Sequence, residues 1–271
     1  MLGAAIIVFR EVLEAALIIG IIAAATRGLP RRGMWIGSGI LLGVGGACVV
    51  AALTGFIANL ASGMGQEVFN AGVLCVAVAM LAWHNIWMAA HGRELASMAR
   101  QTGQAVSSGA EPITVLLVVI SMAVLREGSE VALFLYGIFA QGGVSAMGML
   151  MGGLLGLAAG VVLGATLYAG LLRIPMRWFF GVTSALILFL AAGMAGQAAR
   201  LLIQAGYLPA LADPLWDSSA WIGQDSVLGS VLHALAGYDA QPTGMHVLVY
   251  WVTAILILIG MLREARRPVA A

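Results

Sequence analysis

The chain has 271 residues, 62% of them hydrophobic and only 9% charged, with a formal net charge of +1 and a mean hydropathy of +1.02. A soluble domain carries about 25% charged residues, so the composition excludes an ordinary soluble fold and identifies an integral membrane protein. Nucleic-acid binding has no support in a chain without a basic tract. A hydrocarbon core takes about 20 helical residues to cross, and apolar runs of that length fall at 4–26, 34–58, 68–90, 113–140, 144–171, 178–204 and 246–262. The fold class predicted is therefore all-α, a polytopic membrane protein with seven transmembrane helices. The first run has neither a basic segment before it nor a small-residue cleavage site, so it is read as a span and not as a signal peptide.

All thirteen basic residues are arginine. Arg27, Arg31 and Arg32 follow the first run, Arg93 and Arg100 the third, Arg173 and Arg177 the fifth, and Arg263, Arg266 and Arg267 the seventh. The connections 59–67, 141–143 and 206–245 contain none. The positive-inside rule then sets the N-terminus outside and the C-terminus in the cytoplasm. Cys48 and Cys75 lie in apolar runs without metal-ligand spacing and read as small apolar side chains.

Two stretches share the pattern Arg-Glu-x-x-Glu: Arg10, Glu11 and Glu14 in the first run, Arg126, Glu127 and Glu130 in the fourth. A shift of 116 residues superimposes them, along with Val8, Ala16 and Leu17 on Val124, Ala132 and Leu133. Each copy of this repeat holds three spans, so the second enters the membrane from the opposite side. The predicted organisation is a single transmembrane domain: repeat one at about 1–100, an inverted repeat two at about 111–205, an outer loop at 206–245 and a seventh helix at 246–262. Inverted repeats commonly place a substrate site near the midplane where the halves meet, which here would bring the four glutamates together.

Residues three or four apart share a helix face, so each motif presents two carboxylates and a guanidinium to one side. A charge at the bilayer centre costs about 2.5–3.5 kcal/mol even on lenient scales, so intramembrane charges are functional by default. The rival reading is a buried salt bridge that ties helices together. Two carboxylates per arginine exceed what pairing needs, which favours a metal site. Carboxylate oxygen suits hard or borderline cations, whereas thiolate selects softer ones. Glu11, Glu14, Glu127 and Glu130 are the candidate metal ligands, with Arg10 and Arg126 as supporting charge. No enzyme is expected, since His-Glu-x-x-His is absent and no Ser, His and Asp set lies at a plausible depth.

Other polar residues are candidates for an accessory path. His84, between Trp83 and Trp87, reads either as a satisfied core or interfacial residue or as a ligand beside the ion. Gln197, Arg200 and Gln204 share one face near the outer end of the sixth span, where Arg200 could snorkel, pair with a loop aspartate or border the route. Asp213, Asp217, Asp225 and Asp239 form either an acidic mouth that concentrates cations or an ordinary solvated loop. Residues 226–235 read as a short surface helix bearing His233. Glycines at 148, 152, 156, 160 and 164, and at 39 and 43, form spacing-four ladders suited to close helix packing or a dimer face.

The paired motifs, the spans that carry them and the tail Gly237-Tyr238-Asp239-Ala240-Gln241-Pro242 resemble the oxidase-dependent iron transporter family, which includes the fungal high-affinity iron permeases and a bacterial EfeU branch. The resemblance covers nearly the whole chain. It implies iron import across the cell inner (plasma) membrane, with ferric or ferrous iron as transported substrate and no resident cofactor; alternating access is the mechanism expected from the inverted repeat. It also implies a periplasmic or extracellular protein that oxidises or delivers iron; a homo-oligomer is left open. Manganese or lead transport, and a non-transporting metal sensor, are the alternatives. Family relatives often carry acidic residues at the start of the third span; here Glu67 is present and Asn70 stands where a second carboxylate is expected.

Overall fold

The computed structural model describes residues 1–61, 66–140, 145–170, 176–224 and 226–265. These form helices joined by turns, with no strand among the described residues. The helices are α1 (Leu2–Ala25), α2 (Arg32–Ala61), α3 (Gln66–Ser107), α4 (Val115–Ala140), α5 (Ala146–Tyr168), α6 (Met176–Gln204), α7 (Val227–Ala236) and α8 (Gly244–Ala265). Among the described residues, stretches of α2, α3, α5, α6 and α8 are long and apolar enough to cross a membrane. The protein is thus a multi-pass membrane protein with five such helices, against seven predicted. The difference is α1 and α4, which have sufficient length at 24 and 26 residues but carry the three motif charges each.

The bounds of α3 depart most from expectation. The sequence predicts a span at 68–90, yet the helix runs 42 residues, about 63 Å at the α-helical rise. No glycine turn or proline stops it before Gly109, which sits at φ +80. Its extension also finds apolar partners: Ala99 and Val106 pack with Ile22 of α1. The predicted short helix appears as α7, capped at its start by Ser226 Oγ accepting from Gly229 N at 2.9 Å and closed by Gly237 at φ +66.

The glycine ladders hold the motif helices. α1 packs chiefly along α5, and α2 along α4. A Cβ at Gly160 of α5 would fall 2.9 Å from Val12 Cβ and 3.0 Å from Phe9 O of α1; one at Gly43 of α2 would fall 2.6 Å from Val124 Cβ of α4. Only a hydrogen at these positions lets the backbones approach so closely.

α1 crosses α4 antiparallel, with apolar layers on both sides of the crossing. In one layer Ala4 and Ile7 share a buried cluster with Phe134 and Ile138; in the other Ile22 shares one with Leu116 and Ile120. The motif charges lie between. The second layer marks an arginine end, where Arg32 Nη1 donates to Ala23 O at 2.6 Å and Arg27 lies 5.4 Å over the Tyr168 ring. Arg173, Arg266 and Arg267 lie outside the described residues. The opposite, loop end carries residues 205–224 and 226–243, pinned by bonds such as Gly244 N to Ala212 O at 2.9 Å and Ser218 N to Ala240 O at 2.9 Å.

Candidate metal centre

Glu11 and Glu14 project from the middle of α1 onto the face that meets α3 and α4. Arg10 Nη1 donates to Glu11 Oε1 at 3.2 Å, and its Nε lies 3.0 Å from Glu14 Oε1 without hydrogen-bond alignment. All three are buried, Arg10 to 1% exposure. On α4, Arg126 Nε donates to Glu130 Oε1 at 3.3 Å and lies 3.6 Å from Glu127 Oε1.

α3 joins the two motifs. His84 Nε2 lies 3.8 Å from Glu11 Oε2 and 3.6 Å from Glu14 Oε2, while its Nδ1 meets Glu130 Oε2. One ligand atom each from Glu11, His84, Glu127 and Glu130 falls within 4.8 Å of every other, the only such His/Cys/Asp/Glu group among the described residues. Glu14 borders this set through Arg10 and His84. The neighbouring Asn85 anchors α3, donating from Nδ2 to Ser184 O of α6 at 2.9 Å.

The donor set fits a cation. Glu11 Oε2, both Glu14 oxygens and Glu127 Oε2 are buried without a hydrogen-bond partner, Glu130 Oε2 being taken up by His84, and a buried carboxylate oxygen left unpaired is costly. A metal ion among them satisfies several at once. Carboxylate oxygen with one imidazole nitrogen suits borderline first-row ions. Four carboxylates and two guanidiniums leave a formal minus two, which a divalent ion cancels.

The two motifs are alike in sequence but unequal in space. The Arg126 side chain is 38% exposed and Glu130 16%, against 1% and 3% for Arg10 and Glu14. The Arg126 guanidinium lies 4.5 Å over the Trp87 ring, a cation–π contact. A cavity of about 550 Å³ opens beside it on the α3–α4 face, with His84 and Glu130 in its wall.

The remaining predicted path residues are not brought to this centre. Glu67 is exposed at the start of α3, seventeen residues and about 25 Å of helix from His84. Arg200 donates to Asp239 Oδ2 at 2.7 Å, which selects the loop-aspartate pairing among its three readings. Asp213 and Gln204 line a smaller cavity of about 150 Å³ with that pair, and Gln197 is half-buried on the same helix. Asp217 accepts from Ser219 N and Oγ and from Gln241 Nε2; the Ser219 bonds first, then Gln241, hold its carboxyl below the usual range. Its oxygens fasten the loop. Asp225 lies outside the described residues.

The part α3 plays is not legible in the linear sequence. His84 is the hub of the centre and Trp87 carries Arg126. The signal was present in an ionisable residue within an apolar run, but nothing linear connects position 84 to the motifs.

The chain matches the sequence profile of the iron permease FTR1 family over residues 1–264. It is 33% identical to the ferrous iron permease EfeU of Yersinia pestis over 259 residues, 94% of this chain and 90% of the relative. It is 34% identical to the ferrous iron permease EfeU of Escherichia coli O6:H1 over 274 residues, covering 98% and 97%, and 33% identical to that of Shigella sonnei over 273 residues, with the same coverage. No solved structure matches the fold significantly.

Proposed function

The chain belongs to the iron permease FTR1 family, and from that premise we propose that it moves iron through the centre formed by Glu11, Glu14, Glu127, Glu130 and His84. Iron transmembrane transport is the activity of the family and of this chain; it is a permease, not an enzyme. The ion we assign is ferrous iron, following the printed names of the relatives and the imidazole among the carboxylates, a mixed donor set that borderline Fe(II) accepts. Four ligand atoms from three helices within 4.8 Å of one another carry the reading.

Architecture and direction are part of the proposal. α1 and α4 count as spans despite their charges, giving seven. Pairing of α1 with α5 and of α2 with α4 is the exchange that an inverted repeat produces, and the antiparallel crossing of α1 and α4 supports the same symmetry. The arginine end faces the cytoplasm of a cell inner membrane, so transport is inward. The family resemblance implies a separate protein that oxidises or delivers iron, and with ferrous iron as the cargo its role at the loop end is delivery.

In this mechanism the carboxylates replace part of the ion's water shell. Arg10 and Arg126 compensate the carboxylates in the absence of cargo, and their positive charge keeps the site weak enough to release it. Apolar layers above and below the crossing close both ends at once, so rocking of α1 against α4 opens one layer at a time. Purified protein in proteoliposomes should accumulate radiolabelled Fe(II), and Glu11→Gln or Glu127→Gln should abolish this. Undiminished accumulation in both variants would overturn the site.

A further inference from the structure

The charged layer is sealed along the bundle interior but not from the side. On α3, Leu74, Ala77 and Leu81 face inward and belong to the apolar cluster at the loop end. The alternate face of the same turns, Val76, Ala79 and Trp83, lines the 550 Å³ cavity that reaches His84 and Glu130, with Met80 at the edge between that cavity and the cluster. One helix therefore plugs the axis and walls a groove beside the plug. These groove residues all lie on the loop-end side of His84 in the chain, with Trp87 one turn beyond it.

Arg126 sits at the foot of this groove. Hydrocarbon does not solvate a half-exposed guanidinium at mid-helix depth, and with the Trp87 ring over it the Arg126 side chain is still 38% exposed. Its counterpart Arg10 is closed off completely. The asymmetry distinguishes two sides of one site, a shut α1 wall and an α4 wall open to the groove.

We propose that the α3–α4 groove is a water-filled vestibule through which the cargo reaches the carboxylates from the loop end, with Arg126 as the gate residue at its foot. Resting on Trp87, Arg126 closes the approach with its charge and its bulk. When a cation arrives at Glu130, the guanidinium gives up that carboxylate and swings toward the groove. The vestibule rests on the transport reading above and adds the route to it.

Thiol accessibility tests this in a Cys48→Ser, Cys75→Ser background, with right-side-out membrane vesicles and a membrane-impermeant methanethiosulfonate reagent. Ala79→Cys and Met80→Cys should be modified from the loop end, and modification should block radiolabelled Fe(II) uptake. Leu154→Cys on the apolar exposed face of α5 should stay unmodified. Two results overturn the vestibule: modification of Ala79→Cys and Met80→Cys no faster than Leu154→Cys, or disulfides between copies through Ala79→Cys in place of modification, which would mean that a second chain covers the groove. Modification that leaves uptake intact overturns the route alone. Labelling itself needs no iron, so failure of the iron reading appears separately, as a protein that labels normally but never accumulates Fe(II).

Discussion

His84 Nδ1 on α3 meets Glu130 Oε2 on α4, while the other imidazole nitrogen lies 3.6 Å from Glu14 Oε2 on α1. A single ring thus spans the junction of three helices, at the depth where the motif helices cross. It also contributes the only nitrogen to an otherwise all-oxygen ligand group.

Removing that nitrogen should change which ion is preferred. Without imidazole the centre becomes an all-carboxylate site, which favours harder cations such as Mn(II) over Fe(II). His84→Ala is expected to weaken Fe(II) uptake about 10- to 100-fold, by analogy with the loss of a metal-tuning partner, and to narrow the Fe(II) to Mn(II) ratio in a competition assay. An unchanged ratio would remove His84 from the ligand shell.

The two arginines should differ in what their loss costs. Arg10→Leu strands Glu11 and Glu14 at nearly complete burial, and breaking a buried pair costs about 3–5 kcal/mol. Arg126→Leu removes a side chain that is 38% exposed, where solvent screening reduces the loss. Thermal unfolding in detergent should rank Arg10→Leu well below Arg126→Leu. Equal midpoints would mean that the buried cluster is not charged as drawn.

Glycine substitutions provide an internal contrast. A Cβ at Gly160 would press on Val12 and Phe9 O, moving α1 off α5 and Glu11 with it; overpacking of this kind costs about 1–3 kcal/mol. Gly55 of α2 has nothing within 4 Å of its Cβ position, and alanine there should add about 0.5–1 kcal/mol through helix entropy. Gly160→Ala is expected to lower both melting temperature and uptake, and Gly55→Ala to lower neither. The reverse order would contradict the α1–α5 packing.

Arg200→Ala should be mild. Its partner Asp239 is 2.7 Å away, but the arginine is 46% exposed, and such pairs contribute about 0–1 kcal/mol. Near-normal stability and uptake are expected, because the pair ties α6 to the loop and lies outside the candidate metal centre. A large drop in uptake at unchanged stability would bring the 150 Å³ cavity into the ion path.

The membrane character, the near-final helix bounds apart from α3, and the motif pair are legible in the linear chain, because apolar run length and charge spacing are local properties. Hydrophobicity and the three-residue separation of Glu11 and Glu14 act within one helix and need no partner to be read. Three features come only from tertiary structure. α3 continues to Ser107 because Ile22 offers Ala99 and Val106 a buried surface. His84 is the hub because packing against α1 and α4 brings a residue far away in sequence to their crossing. Arg126 and Arg10 are equivalent in the repeat yet open and shut in space, since the neighbours of a helix face, and not its own sequence, decide what reaches it.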